Sequence, residues 1–104
     1  MKAVLFYGPQ DIRYEETRIK PLEKGEILVK IQAALTCGTD VKTFRRGHPV
    51  LIKNIPSGFG HEFSGIVEKV ADDVKNVKAG DRVVCANSAP CGECFYCKRG
   101  EYNL

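Results

Sequence analysis

Five of the 104 residues are cysteines, and Cys91, Cys94 and Cys97 fall within one short stretch of the chain. Two residues between successive thiols let loop backbone turn all three toward one ion, at about 2.3 Å from a zinc. A tetrahedral structural site takes four ligands, and no fourth follows Cys97 in the chain. The bacterial ferredoxin pattern C-x2-C-x2-C-x3-C-P offers an iron–sulfur alternative. It requires a cysteine where Glu101 stands and a proline where Tyr102 stands. Zinc fits this spacing better than an iron–sulfur cluster or three idle thiols. An odd cysteine count, with no secretory leader, argues against a disulfide framework and for thiolates that do chemistry.

A second set of ligand types is scattered. Cys37 precedes a predicted helix, where amide dipoles favour the metal-binding thiolate. His61 and Glu62 lie in Gly60-His61-Glu62, just ahead of a predicted strand. Taken singly, each fits a plainer role: Cys37 as a small buried apolar group, His61 as a structural histidine beside a loop. Taken with Asp40, they supply a thiolate, an imidazole and a carboxylate to orient the imidazole. A catalytic zinc usually has three protein ligands and one open position, so this set, like the cysteine cluster, falls one ligand short.

The elements that must position these groups are mostly strands. Residues 2–7 form a short apolar run ended by the turn signal Gly8-Pro9-Gln10-Asp11, and residues 12–17 alternate imperfectly. Residues 27–32 alternate well enough for a strand with one buried face. Thr39 or Asp40 is placed to cap a short helix running to Arg46 and ending at Gly47. Residues 48–60, with two prolines and two glycines, read as a loop. Residues 63–70 and 82–86 read as strands, with Gly80-Asp81 turning the chain between them and Cys85 as a core strand residue. From 87 to 104 no period of 2 or 3.6 appears. Many short strands between turns predict a mainly β fold, a small barrel or sandwich.

Composition narrows the function. With 43% hydrophobic and 28% charged residues, the chain sits in the range of one soluble globular domain with a single core. The net charge of +3 comes from 16 basic and 13 acidic residues that are interspersed, which argues against a nucleic-acid partner. No apolar run approaches the ~20 residues of a membrane span, and the opening seven residues stop at Gly8-Pro9 without a signal-peptide cleavage site. A cytoplasmic location is the expectation. No G-x-G-x-x-G fingerprint is present, so nothing here binds a dinucleotide.

In order along the chain, four segments resemble the zinc-dependent medium-chain dehydrogenases, the family of alcohol, sorbitol and threonine dehydrogenases. They are Cys37-Gly38-Thr39-Asp40, Pro56 to Gly65 around Gly60-His61-Glu62, Gly80-Asp81-Arg82-Val83, and the cysteine cluster. The cluster matches the first three cysteines of the family's C-x2-C-x2-C-x7-C pattern. The resemblance implies a partly open GroES-like β-barrel with a short helix after Cys37. Cys37 and His61 become ligands of a catalytic zinc (Zn2+), with Glu62 beside it and able to enter its coordination. Thr39 contacts the substrate hydroxyl and starts a proton relay, and Asp40 holds His61. Cys91, Cys94 and Cys97 bind a structural zinc, while Cys85 matches no family ligand.

The resemblance also implies a small-molecule alcohol or polyol substrate, oxidised by hydride transfer to NAD or NADP, in a parent protein that is a homo-oligomer. The chain then reads as one N-terminal catalytic domain over residues 1–104, broken off inside a structural-zinc lobe at 87–104. The family's fourth lobe cysteine falls immediately after Leu104. A lobe with three thiolates is expected to be poorly ordered or metal-free, or to borrow a ligand from a neighbour. Many relatives carry a relay histidine where Lys42 stands; His48 is a substitute candidate, though it also reads as an exposed loop histidine. Lys42, Arg45 and Arg46 read as a solvated helix face. Two other functions compete. A co-chaperonin-like binding module shares the fold and length but needs neither Gly60-His61-Glu62 nor the cysteine cluster. A zinc-free quinone reductase lacks both Cys37 and the lobe.

Overall fold

A computed structural model of the chain describes residues 1–102. The elements are β1 (Lys2–Gly8), β2 (Asp11–Glu16), β3 (Ile27–Leu35), α1 (Gly38–Arg46), β4 (Ser57–Gly58), β5 (Glu62–Val70), β6 (Arg82–Val84) and α2 (Phe95–Lys98). They build two antiparallel sheets, ordered β2-β1-β4 and β3-β5-β6. The fold is mainly β, as the alternation and turn signals predict, and it has the partly open barrel form that the family resemblance implies, with a cysteine-rich lobe at its C-terminal end.

The sheets lean apart. Phe6 and Val67 are the buried apolar side chains among the described residues, so the expected single core is thin. Phe6 stacks on Phe59 with ring centroids 6.0 Å apart, joining β1 to the segment after β4. Beside this contact a groove of about 890 Å³ opens between the sheets, lined in part by Val4, Leu28, Ile31 and Phe59. Leu35 and Val84 stay 73% and 79% exposed, because alternation gives a strand two faces and each sheet covers only one of them.

Gly65 is where the sheets' geometry is tightest. The β3–β5 register slips between Leu28 and Val29 and again between Ile31 and Ala33, which brings the β3 backbone onto Gly65. A Cβ there would collide with the Lys30 carbonyl and the Val29 side chain.

Four elements differ from the sequence expectation. Strand β3 continues to Leu35, three residues past the alternating stretch, because pairing with β5 carries it on. The expected loop at 48–60 contains β4, two residues long and held by pairing with Leu5 and Phe6 rather than by its own pattern. Strand β6 stops at Val84, so Cys85 lies just past it, half-buried and not in a core. Helix α2 is one turn, too short to show a 3.6-residue period. No helix among the described residues is long and apolar enough to cross a membrane.

Candidate metal centres

Helix α1 starts earlier than Thr39 or Asp40 would allow as caps. Its N-cap is Cys37, with extended backbone at φ −110° and ψ 179°. The Thr39 N–H donates to Cys37 Sγ at 3.3 Å, and the Cys37 N–H donates to Asp40 Oδ2 at 3.0 Å. This is a reciprocal capping box in which sulfur stands where serine or threonine usually does. Cys37-x-x-Asp40 has the spacing of that motif, so the signal was present in the sequence, but a cysteine cap is outside the usual residue set. At the other end of α1 the Gln10 N–H, from the β1–β2 turn, donates to the Phe44 carbonyl at 2.6 Å. The helix is thus pinned at both ends.

The β3–β5 ladder brings Cys37 to His61. Its last pair is Leu35 with Glu62, so the chain leaving β3 and the chain entering β5 emerge side by side. Gly60, at φ +102°, makes the entry bend in a region that side-chain-bearing residues avoid. Across 24 residues of sequence, Cys37 Sγ and His61 Nε2 stand 3.2 Å apart. His61 Nδ1 lies 3.1 Å from Asp40 Oδ1. The tautomer with its proton on Nδ1 donates to Asp40 and leaves the Nε2 lone pair toward Cys37. Asp40 is 4% exposed and divides its two oxygens between the helix cap and the histidine.

Glu62 completes this cluster: one ligand atom from each of Cys37, His61 and Glu62 lies within 4.8 Å of the others. A groove of about 400 Å³ borders it, lined by Leu35, Glu62, Phe63, Ser64 and Asn87 among others. Thiolate, imidazole and carboxylate together are a donor set suited to zinc. Thr39 is exposed on the first turn of α1.

The lobe brings its three cysteines together by local turns. Cys94 N-caps α2, accepting the Cys97 N–H at 3.4 Å, and Cys91 Sγ accepts the Cys94 N–H at 3.3 Å. Cys91 and Cys97 sulfurs are 3.9 Å apart. Two sulfurs each ~2.3 Å from a tetrahedral zinc stand about 3.8 Å apart, so the donors fit that ion. The N–H groups of Glu93 and Cys94 lower the Cys91 pKa to about 7. At Cys97 the Gly92 N–H favours the thiolate, but desolvation and the neighbouring thiols of Cys94 and Cys91 outweigh it, and the pKa is raised. The expectation for the lobe extends to 103–104, which lie outside the described residues.

The remaining candidates stand apart from both clusters. His48 is half-buried, and its Nδ1 accepts the Leu51 N–H at 3.2 Å, which ties it to its own turn. Lys42, Arg45 and Arg46 all face solvent.

Known dehydrogenases share both sequence and fold with the chain. The chain is 42% identical to the zinc-type alcohol dehydrogenase B of Aspergillus flavus over 96% of its length, covering 23% of that protein. It is 39% identical to the sorbitol dehydrogenase of Bombyx mori over 98% of its length, covering 30% of that protein. The fold superposes on the apo form of zinc-dependent alcohol dehydrogenase 2 from Streptococcus pneumonia with a TM-score of 0.84 at 33% identity. That match covers 96% of this chain and 28% of the other. The chain therefore spans less than a third of the relatives it matches. Residues 23–104 match the alcohol dehydrogenase GroES-like domain, and the chain belongs to that family.

Proposed function

We propose that residues 1–104 are the metal-binding catalytic domain of a cytoplasmic, zinc-dependent NAD(P) alcohol or polyol dehydrogenase. In this reading the chain ends inside its structural-zinc lobe, and the parent assembles as a homo-oligomer. The observation that carries the proposal is the convergence of Cys37 Sγ and His61 Nε2 at 3.2 Å, braced by the buried Asp40 carboxylate. A co-chaperonin-like module has no use for that convergence, and a zinc-free quinone reductase would lack Cys37.

Cys37 and His61 would hold a catalytic zinc, with Glu62 able to approach it, and Cys91, Cys94 and Cys97 would hold a structural one. Bound there, a zinc ion supplies Lewis acidity that makes an alcohol more acidic and readies its carbon for hydride loss to a nicotinamide. Asp40 keeps the His61 proton on Nδ1 and so keeps Nε2 free to ligate. The Thr39 hydroxyl, on the exposed first turn of α1, takes the substrate proton and passes it outward. With Lys42 in place of a relay histidine, the proton would leave the exposed Thr39 hydroxyl to solvent.

Two measurements test this. The 104-residue chain, given NAD+ or NADP+ and a panel of alcohols, should show no oxidation, because its sequence carries no G-x-G-x-x-G turn to hold a dinucleotide; any turnover would overturn the domain assignment. Replacing His61 with Ala in the full-length protein should remove one zinc and the NAD(P)-dependent activity while leaving its thermal unfolding cooperative. Full zinc content and activity in that variant would refute the role of His61.

A further inference from the structure

The lobe holds more than a metal-ligand pattern. Cys91 Sγ accepts the Cys94 N–H and Cys94 Sγ accepts the Cys97 N–H, and within a cluster whose three sulfurs lie within 4.8 Å of one another Cys91 and Cys97 face each other at 3.9 Å. Cys91 and Cys94 are exposed and Cys97 is partly so, which leaves the pair open to a small oxidant. We propose that the metal-free lobe is a selective redox switch, in which a peroxide converts Cys91 and Cys97 into a disulfide while Cys94 stays reduced. This goes beyond the dehydrogenase reading and does not need it.

The chemistry balances with hydrogen peroxide as the two-electron oxidant. The Cys91 thiolate attacks one peroxide oxygen and the O–O bond breaks, giving a sulfenic acid and hydroxide, which leaves as water. The Cys97 sulfur then attacks the sulfenic sulfur, the S–S bond forms, and the sulfenic oxygen departs as a second water with the Cys97 proton. The two thiols lose two electrons and the peroxide gains them. Closing the 3.9 Å separation to a bond of ~2.05 Å asks for a shift within an exposed loop rather than within the sheets. The disulfide removes two of three metal donors, so zinc and oxidant compete for the same sulfurs.

Other pairings make the proposal falsifiable. If the three lobe thiols paired at random, the Cys91–Cys97 bond would be no more abundant than Cys91–Cys94 or Cys94–Cys97. The full chain is stripped with EDTA and treated with stoichiometric hydrogen peroxide. Free thiols are then blocked with iodoacetamide, and disulfides are reduced and labelled with N-ethylmaleimide. The intact chain should lose about 2 Da before labelling. Maleimide should then sit on Cys91 and Cys97 severalfold more than on Cys94, Cys85 or Cys37. Cys94→Ser should keep the mass loss, and Cys97→Ser should abolish it. Zinc added before peroxide should slow the loss severalfold. Maleimide spread evenly over the lobe, or a mass loss retained in Cys97→Ser, would overturn the proposal. Loss of zinc protection alone would instead count against zinc binding in the lobe and leave the pair selectivity standing.

Discussion

The two ligand clusters are held by opposite means. Cys37 and His61 meet because a nine-residue strand ladder ends there, and Asp40, 4% exposed, ties both to one helix cap. Cys91, Cys94 and Cys97 meet only through turns within one short stretch, and the aromatic side chains beside them face solvent, Phe95 at 66% exposed. Burial orders the first site before any metal arrives. The second has almost no burial to order it, so a metal would supply most of its stability. The lesson is that ligand spacing alone says little about which site the fold stabilises and which the ion does.

The largest expected effect tests that contrast directly. Structural zinc contributes roughly 10–16 kcal/mol of apparent binding free energy in small zinc peptides at neutral pH. Appending a cysteine after Leu104 should complete a four-thiolate site, binding one zinc far more tightly and shielding residues 87–102 from protease. Chelation should expose the lobe again while the sheets resist cleavage. Equal affinity and protection with and without the added cysteine would show that the lobe takes no fourth ligand there.

A smaller effect should come from the brace. Asp40→Asn keeps the side chain's shape but cannot hold the His61 tautomer as a carboxylate does, which in comparable sites costs about 10–100-fold in metal affinity. Zinc titration of the barrel site checks this, with lobe affinity as the internal reference. A loss shared equally by both sites would mean that the variant disturbs the whole fold.

The smallest effect separates two jobs of one atom. Cys37→Ser retains a good N-cap donor–acceptor pattern, so metal-free stability in urea should change by less than ~0.5 kcal/mol. Zinc binding at the barrel site should fall sharply, because a hydroxyl is a poor substitute for a thiolate. A large stability loss without zinc would show that the sulfur matters to the fold in a way that capping does not explain.

Much of this was legible in the chain. Alternation at 27–31, the apolar run at 63–70 and the Gly80-Asp81 turn marked the main sheet, and the cysteine spacing marked the lobe, because each depends on neighbours close in sequence. Strand β4 was not legible, since two residues carry no period and their partners, Leu5 and Phe6, lie far back in the chain in β1. The Cys37 cap was legible only as the spacing Cys37-x-x-Asp40, because cysteine is outside the usual cap residues, which point to Thr39 or Asp40 instead.

By itself the sequence determined which residue types were available as ligands and where the strands and turns would begin. The tertiary structure alone decided that Cys37 faces His61 and that the buried Asp40 serves both of them. Those outcomes follow from ladder register, backbone bends and burial, which are long-range properties that no local pattern encodes.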